Sequence, residues 1–402
     1  MKNRIITACI FMLLILPNIN QTKAQQSKPI KEIIKEALEF SVNQSLRMAK
    51  SLEHEKELLP KTVDRFGTLQ TCKSDWWVSG FFPGQLWYLY EYSNNEELKK
   101  FAIEYSRRVE KEKYTTDNHD VGFIIHCSFG NGYRITKDPA YPEVIKTASN
   151  SLITRFNKKI GAIRSWDTGQ WNKQWQYAVI IDNMMNLEML LWGAKEFNEP
   201  KFYDVAVRHA NTSMRDHYRS DFSSFHVVSY DTITGLPEVK HTAQGFKHES
   251  AWARGQSWGL YGFVMMYRFT KDEKYLYHAK SIADFLINHP RMPEDKIPHW
   301  DYDAPNIPDT YRDASAGSIM CSALIELSGY VDDELSNKYL EIAETQIRSL
   351  YTNYKNALGN NGNFILKHGV GHMPNNTEID VPLTYADYYF VEALVRMRKI
   401  YN

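Results

Sequence analysis

The stretch AVIIDNMMNLEMLLW, residues Ala178–Trp192, places Asp182 inside a run whose other residues are typical of a buried helix. Burying an ionised aspartate costs several kcal/mol unless the carboxylate is paired or hydrogen-bonded. We therefore expect Asp182 to cap a helix, to belong to a structural ion pair, or to form part of an active site.

Segments of the same kind occur six times along the chain. Each is apolar on almost all faces and opens with Gly, Asp or Arg among aromatic residues, which is typical of a helix buried on every side. The irregular spacing of the opening residues argues against a short repeat stacked into a solenoid. These opening residues are Gly80, Asp120, Asp182, Arg254, Asp313 and Asp387.

Amphipathic segments with one charged face lie between the apolar ones, for example ELKKFAIEYSRRVEK and KYLEIAETQIRSLYTNY. This alternation predicts six helical hairpins, with apolar helices inside and amphipathic helices outside. We therefore predict an all-α fold, an (α/α)6 barrel that forms a single domain over residues 25–402. The starts of the inner helices, with the loops before them, would then line a pocket at one end of the barrel.

One long non-helical stretch, around residues 221–250, interrupts the helical pattern. It contains the strand-like FHVVSY followed by the turn-like TITGLP, which predicts a small β-hairpin. Because long loops in compact domains are often functional, we expect this hairpin to lie over the barrel mouth.

Residues 1–24 have the pattern of a signal peptide. Lys2 and Arg4 precede the apolar run IITACIFMLLIL, and TKA precedes the expected cleavage after Ala24. The apolar run is too short for a membrane span, and no later stretch is long and apolar enough for one. We expect an exported protein with no membrane partner, located in the periplasm, with full secretion as the alternative.

Composition narrows the class of partner. Without residues 1–24 the chain holds 45 Lys and Arg against 48 Asp and Glu, whereas nucleic-acid-binding domains are normally basic. We therefore expect no nucleic-acid partner, and a monomer or weak oligomer. The remaining cysteines, Cys72, Cys127 and Cys321, are too few and scattered for a disulfide framework, although one pair could bridge.

Short motifs for nucleotides, metals and serine nucleophiles are missing from the sequence, so we expect no cofactor and no metal. The remaining candidates are acids at the starts of apolar segments, chiefly Asp120 in TTDNHDVGF and Asp182 in IIDNMMNLEML. An acid in the first turn of a helix also caps free N–H groups and complements the helix dipole. Capping alone would therefore explain either residue.

Arg254 and Trp258 lie four residues apart in WARGQSWG and share one face of a helix. The guanidinium group could hold a carboxylate bidentately beneath a sugar ring stacked on the tryptophan. The alternative is a structural Arg254 paired with an aspartate of another inner helix, and both remain open. His226 and Gln244, in the long loop, carry no signal of their own.

The sequence resembles glycoside hydrolase family 88, the unsaturated glucuronyl hydrolases, over nearly all of the mature chain. The resemblance implies an (α/α)6 barrel, in agreement with the hairpin count. It rests on six segments in order: WWVSGFFPGQLWYLYE, NHDVGF, IIDNMMNLEMLLW, HTAQGFKHESAWARGQSWGLYGF, YRDASAGSIMCSALIEL and DYYFVEAL.

The resemblance implies a hydration reaction rather than attack at the anomeric carbon. Polysaccharide lyases leave oligosaccharides that end in a 4,5-unsaturated uronic acid. An acid protonates C4 of this vinyl ether, water adds at C5, and the hemiketal opens and expels the glycosidic oxygen. No covalent glycosyl intermediate is needed, so the separation of two carboxylates does not predict the outcome as it does in ordinary glycosidases.

By the same resemblance, Asp182 is the general acid/base and Asp120 is a second essential carboxylate that modulates it. Burial and the like charge of Asp120 are expected to raise the pKa of Asp182, while the helix N-terminus opposes this. The implied substrate-binding residues are Trp77, which packs against the unsaturated ring, His119, His226, Gln244, Arg254 and Trp258.

Two alternatives remain open. One is an unsaturated galacturonyl hydrolase that acts on pectin (rhamnogalacturonan) fragments, and the other is a non-catalytic sugar-binding barrel. One segment also departs from the family: members acting on sulfated glycosaminoglycan fragments carry a loop with Ser and Lys, where this chain has LKHGVGHMPNNTEID. A preference for a 6-sulfated amino sugar is therefore not expected, although Lys367 and His372 still offer positive charge.

Overall fold

The computed structural model describes residues 28–401, so the predicted signal peptide lies outside the described residues. Helices carry most of this part of the chain. Its twelve α-helices are α1 Ile30–Ser51, α2 Phe81–Ser93, α3 Glu96–Val109, α4 Asn131–Thr136, α5 Tyr141–Ile153, α6 Leu187–Phe197, α7 Pro200–Asp216, α8 Ala253–Thr270, α9 Glu273–Asn288, α10 Ala314–Ser328, α11 Asp333–Asn353 and α12 Thr384–Tyr401. A π-helix spans Gly122–Gly130, and 3-10 helices span Glu110–Tyr114, Ile181–Asn186 and Asn361–Asn363.

Six helical units form a closed inner ring. They are α2, the π-helix with α4, the 3-10 helix Ile181–Asn186 with α6, then α8, α10 and α12, and each packs against the next around the ring. Helix α12 closes the ring by packing on α2. The amphipathic helices α3, α5, α7, α9, α11 and α1 pack outside these units. The predicted all-α fold, an (α/α)6 barrel, is confirmed.

Helix α3 illustrates how the outer ring forms. Its cap Asn95 accepts hydrogen bonds through Oδ1 from the backbone N–H groups of Glu97 and Leu98, which satisfies donors that the first turn leaves free. Its buried side chains recur at helical spacing, as in Leu98, Phe101 and Tyr105, while its charged residues face outward. The inner helix α10 is buried along nearly its whole length, as expected for a helix inside the ring.

Nine short strands form four small sheets in residues 28–401. The strand pattern predicted within residues 221–250 is confirmed, because β6 pairs antiparallel with β7 and β5 adds a third strand. The hairpins β1–β2 and β8–β9 were not predicted. The strands are β1 Leu59–Val63, β2 Leu69–Cys72, β3 Phe156–Asn157, β4 Ala162–Ile163, β5 Ala178–Ile180, β6 Val227–Tyr230, β7 Pro237–His241, β8 Gly369–His372 and β9 Thr377–Val381.

The stretch Ala178–Trp192 is not one continuous helix, so that part of the prediction is wrong. Ala178–Ile180 forms strand β5, and the α-helix begins only at Leu187, after the 3-10 turn that holds Asp182. The β-branched run pairs with β6, and the backbone N–H of Ile181 continues the ladder to the carbonyl of His226 at 3.0 Å. Pairing with a neighbouring strand therefore outweighs the helical pattern.

Two other inner-helix acids have structural roles. Asp313 caps α10 by accepting a hydrogen bond of 3.0 Å from the backbone N–H of Ser315. Asp387 lies in the first turn of α12 but accepts the backbone N–H groups of Ile365 and Leu366, each at 2.8 Å. Asp387 therefore fixes a neighbouring segment rather than the start of its own helix.

Two further sequence features can be placed within residues 28–401. No helix there is long and apolar enough to cross a membrane. Cys72, Cys127 and Cys321 are all unpaired. The extent of the single domain, residues 25–402, stays a prediction.

Candidate active site

Asp120 and Asp182 lie at the starts of two neighbouring inner units. Asp120 lies two residues before the π-helix that begins at Gly122, and Asp182 is the second residue of the 3-10 helix Ile181–Asn186. Asn186 links the two units, because its Oδ1 accepts the backbone N–H of Phe123 at 2.8 Å. The approach is so close that a Cβ at Gly122 would lie 2.7 Å from the Asn186 Cα. Glycine at this position is therefore what lets the two acids come together.

Both carboxyl groups titrate near neutral pH. Burial raises the pKa of Asp182 to about 7, against the opposing effects of the Arg254 charge, the local backbone N–H and the Trp258 indole N–H. Burial, then the charge of Asp182, raises the pKa of Asp120 to about 8, while the Arg155 charge lowers it. The expected rise in the pKa of Asp182 is confirmed. Burial is the main cause of this rise. The repulsion between the two acids raises the pKa of Asp120 instead.

His226 presents an N–H group toward Asp182. Its Nδ1 accepts the backbone N–H groups of Ala243 at 3.1 Å and Gln244 at 3.3 Å, so the proton of the neutral ring lies on Nε2. That Nε2 lies 3.6 Å from Oδ2 of Asp182. Burial, then the charge of Arg254, holds the pKa of His226 well below its usual value. His226 is therefore a neutral donor that faces the carboxyl group.

His119 stands beside the other acid. Its Nε2 lies 3.5 Å from Oδ1 of Asp120, and its side chain is almost fully buried. Burial, then the charge of Arg155, lowers the pKa of His119 to about 3. Each acid thus has a neutral histidine as a neighbour, and neither histidine supplies a positive charge.

Arg254 makes the structural pairing that the sequence left open. Its Nη1 lies 3.4 Å from Oδ2 of Asp313 and also donates to the carbonyl of Val370, while Nη2 donates to the carbonyl of Gly371 at 2.7 Å. Its guanidinium carbon lies 4.6 Å from the centre of the Trp252 ring. Both terminal nitrogens are engaged, whereas the buried Nε of Arg254 has no hydrogen-bond partner among the described residues and remains a free donor.

Gln244 contacts the same strand as Arg254. Its Nε2 donates to the carbonyl of Gly371 at 3.0 Å, so two predicted binding residues hold strand β8 at the site. The next residue, His372, was expected to offer positive charge. Burial, then the charge of Arg254, lowers the pKa of His372 to about 4, so it is neutral at pH 7 and that expectation is wrong.

The two predicted tryptophans lie at different depths. Trp258 is fully buried and packs between Phe123 and Tyr389, with ring centres 5.2 Å and 5.3 Å away. Trp77 is only partly buried, and its ring lies 4.8 Å from that of Tyr385 at an angle of 36°. Trp77 can therefore present a ring face to a ligand, whereas Trp258 is enclosed and acts on Asp182 by lowering its pKa through the indole N–H.

The sequence model of Glycosyl Hydrolase Family 88 matches residues 48–400. The chain belongs to this family. It is 43% identical over 328 residues to an unsaturated glucuronyl hydrolase of Formosa agariphila, covering 81% of this chain and 80% of the relative. It is 32% identical over 377 residues to an unsaturated chondroitin disaccharide hydrolase of Streptococcus pneumoniae, covering 92% of this chain and 94% of the relative.

Solved structures of family 88 enzymes share the fold. A crystal structure of an unsaturated glucuronyl hydrolase specific for heparin matches with a TM-score of 0.88 and 46% identity, over 92% of this chain and 98% of that one. A variant of the Streptococcus agalactiae enzyme complexed with dGlcA-GalNAc6S matches with a TM-score of 0.79 and 28% identity, over 95% and 96%. A variant of an unsaturated glucuronyl hydrolase with dGlcA-Glc-Rha-Glc matches with a TM-score of 0.83 and 27% identity, over 89% of this chain and 96% of that one.

Family 88 motifs alone did not reveal several residues that shape this site. The Trp252 ring lies 4.3 Å from the His226 ring and also covers Arg254, and its place at the head of WARGQSW could have indicated it. Gly371 acts through its backbone carbonyl, and Arg155 acts through its charge on Asp120. Neither role leaves a signal in the sequence. In the described part of the chain, no group of three or more His, Cys, Asp or Glu residues could hold a metal ion.

Proposed function

We propose that this family 88 enzyme releases the 4,5-unsaturated uronic acid from the non-reducing end of lyase-generated oligosaccharides by hydrating the C4=C5 double bond. The observation that carries the proposal is the pair of buried carboxyl groups, Asp182 and Asp120, with pKa values of about 7 and 8. A carboxyl group protonated near neutral pH is what protonation of a vinyl ether carbon requires. The activities named for the relatives support the same reaction.

Asp182 gives its proton to C4 in the first step. The π electrons of the C4=C5 bond form the new C–H bond, and the ring oxygen shares the positive charge that develops at C5. Asp182 becomes a carboxylate, which the Arg254 charge and the Trp258 indole N–H stabilise. The His226 Nε2–H faces the same carboxylate from 3.6 Å and adds a favourable dipole.

Water adds at C5 in the second step. The water oxygen forms a bond to C5 while one of its protons passes to the Asp182 carboxylate, which restores the acid. The hemiketal then opens: its hydroxyl becomes the C5 ketone, the C5–O5 bond breaks, and the proton passes to the ring oxygen, which leaves a hemiacetal at C1. This hemiacetal collapses to the C1 aldehyde, the glycosidic C1–O bond breaks, and the hemiacetal proton passes to the glycosidic oxygen, which leaves as a hydroxyl group. One water is consumed and no covalent enzyme intermediate forms. The neighbouring Asp120, whose pKa of about 8 keeps it mostly protonated at pH 7, adds little negative charge beside the Asp182 carboxylate.

The surroundings of the acids suit a uronic acid ring. Trp77, which packs against the buried Tyr385 ring, supplies an aromatic face on which the flattened unsaturated ring can pack. The buried positive charge of Arg254 attracts the uronate carboxylate even with its terminal nitrogens engaged, and Gln244 donates to the same Gly371 carbonyl as Arg254. We assign the substrate to the glycosaminoglycan type or a related polysaccharide, and the named relatives favour the glucuronyl over the galacturonyl alternative.

Export is part of the proposal. The charged, apolar and cleavage regions of residues 1–24 support a signal peptide. An enzyme that takes small unsaturated fragments acts after a lyase, and a periplasmic location suits that role. Fractionation of a Gram-negative host that expresses the full chain tests this, because we expect the protein in the periplasmic fraction without residues 1–24. Retention of the full-length chain in the cytoplasm would contradict it.

The hydration reaction is tested through its chromophore. Unsaturated uronides absorb in the far ultraviolet, and hydration destroys that absorbance. We expect loss of absorbance with at least one unsaturated disaccharide from chondroitin, hyaluronan, heparin or gellan, and no loss with Asp182→Asn. A folded wild-type protein that leaves every disaccharide unchanged would exclude the proposed function.

A further inference from the structure

A polar contact behind the two acids has no part in the steps described above. It joins the side chain of Asn183, the residue after Asp182, to the ring of His119, the residue before Asp120. Asn183 is fully buried, and His119 is only 1% exposed. Buried polar groups take their hydrogen bonds from their immediate neighbours, so this contact bears on which nitrogen of the ring carries the proton.

The amide group of Asn183 has one favoured orientation. Its Nδ2 donates to the carbonyl of Ile163, in strand β4, at 3.0 Å. The backbone N–H of the same Ile163 donates to Nδ1 of His209 at 2.9 Å, so Ile163 offers the amide only its carbonyl. With Nδ2 as the donor to Ile163, the atom left for His119 is Oδ1, which can only accept.

The two ring nitrogens of His119 have different surroundings. Nε2 lies 3.5 Å from Oδ1 of Asp120. Nδ1 is fully buried, and neither it nor Oδ1 of Asn183 has another hydrogen-bond partner in residues 28–401. Burial, then the Arg155 charge, lowers the pKa of His119 to about 3, and the hydrogen bond with Asn183 opposes them. A bond that favours the protonated ring is one in which the ring donates, here from Nδ1 to the amide oxygen.

A neutral ring that donates through Nδ1 accepts through Nε2. Nε2 of His119 then turns a lone pair toward Asp120, which suits the protonated form of that carboxyl group. Burial, then the charge of Asp182, raises the pKa of Asp120 to about 8, so this proton is present at pH 7. His226 has the opposite tautomer and presents an Nε2–H to Asp182. The two histidines therefore favour opposite charge states at the two acids.

We propose that Asn183 is a positioning residue, which holds His119 in the Nδ1–H tautomer so that Nε2 accepts a hydrogen bond from protonated Asp120. Asp120 then stays neutral while Asp182 gives its proton to C4, and no second negative charge lies beside the new carboxylate. The tautomer follows from the hydrogen bonds alone, whereas its effect on the rate rests on the proposed function.

The other charged and titratable groups near His119 do not set its tautomer. Arg155 donates to backbone carbonyls and to Asp167, and it acts on the ring through its charge. His209 is neutral at pH 7, because burial, then the neighbouring His217, lowers its pKa to about 3, and its Nδ1 already accepts a backbone N–H. Asn183 is therefore the group whose removal should release the ring.

Nitrogen-15 NMR of labelled histidines reports the tautomer, because protonated and unprotonated ring nitrogens have well-separated signals. The signals of His119 are those lost in His119→Gln. At pH 7 we expect a protonated Nδ1 and an unprotonated Nε2 in the wild type. In Asn183→Leu, which lacks the acceptor, Nε2 should gain the proton. His209→Leu is the matched control, since it also removes a hydrogen bond to Ile163 and should leave the tautomer of His119 unchanged.

The pH profile shows whether the tautomer acts on the acids. An Nε2–H facing Asp120 would favour its carboxylate, and that charge would raise the pKa of Asp182. Asn183→Leu should therefore move the alkaline decline of kcat/KM up by about one pH unit and lower kcat roughly three- to tenfold, with KM little changed. Asn183→Asp is the conservative variant. Its protonated carboxyl group can donate to Ile163 and accept from His119 as the amide does, so it should restore the tautomer and kcat near pH 5.

A wild-type His119 that carries its proton on Nε2 would overturn the proposal, even if no variant folds. An unchanged tautomer in folded Asn183→Leu would also overturn it, and so would a changed tautomer with an unchanged pH profile. The spectra need no substrate. Failure to lose absorbance with every unsaturated disaccharide would therefore refute the proposed function, while the spectra alone decide the assignment of the tautomer to Asn183.

Discussion

Nε2 of His226 lies 3.6 Å from Oδ2 of Asp182, and the ring is held there because its Nδ1 accepts two backbone N–H groups from the loop at Ala243 and Gln244. The same histidine therefore orders the loop that carries Gln244 and points a proton toward the acid. Burial favours the protonated carboxyl group, while Arg254 and the neighbouring N–H groups favour the carboxylate. A general acid/base needs both forms to be accessible, and this balance supplies them.

Activity should fall as the pH rises above about 7. The reaction needs a protonated Asp182, whose pKa is raised to about 7, so kcat/KM should decline about tenfold per pH unit on the alkaline side. Initial rates of absorbance loss between pH 5 and pH 9.5 measure this. Activity that increases steadily from pH 7 to pH 9 would be incompatible with Asp182 as the acid.

The charge of Arg254 should set the pH at which activity declines on the alkaline side, called here the alkaline limb of the pH profile of kcat/KM. Arg254→Met removes a charge that lowers the pKa of Asp182, so the limb should move to higher pH. It also leaves the buried Asp313 unpaired, at a cost of about 3–5 kcal/mol in the free energy of unfolding. Arg254→Lys is the control, because it keeps the charge and should keep the limb in place. Equal limbs in both folded variants would refute this role.

Contact between the two acid-bearing units should depend on Gly122. In Gly122→Ala the added Cβ would lie 2.7 Å from the Asn186 Cα, so the units must separate and Asp120 must move relative to Asp182. We expect a loss of roughly 1–3 kcal/mol in the free energy of unfolding and a lower kcat. Gly193→Ala in α6 is the control, since its Cβ would make only ordinary contacts of 3.4 Å or more. Equal effects of the two substitutions on kcat would argue against the close approach.

Asp120→Asn should stabilise the protein at alkaline pH. The pKa of Asp120 is raised from 3.8 to about 8, so between these pH values the folded protein holds a proton that the unfolded chain has released. Stability is therefore lost as the pH rises through this window, and the amide escapes that loss. A pKa difference of one corresponds to about 1.4 kcal/mol, so we expect a gain of roughly 2–4 kcal/mol at pH 8 and almost none at pH 4.

Denaturant unfolding at both pH values checks this stability effect. Asp309→Asn, at an exposed loop position, is the control and should change stability little at either pH. A gain for Asp120→Asn that is the same at pH 4 and pH 8 would show that titration of the carboxyl group is not its cause.

Periodicity predicted the barrel because each inner helix is apolar on nearly every face, and this signal is local. The strand at Ala178–Ile180 escaped prediction because its partner Val227–Tyr230 lies about 50 residues away. The pairing of Arg254 with Asp313 was only one of two alternatives, since the contact joins inner helices α8 and α10. Gly371 could not be predicted at all, because it contributes a backbone carbonyl.

The isotope content of the product tests the central claim most directly. Wild-type enzyme is incubated with an unsaturated disaccharide in deuterium oxide, and the released sugar is examined by NMR. If the Asp182 carboxyl group protonates C4, exchange with solvent will have loaded it with deuterium, and the product will carry deuterium at C4 and no double bond. Release of a sugar that keeps its C4=C5 bond and contains no deuterium at C4 would contradict hydration and show attack at the anomeric carbon.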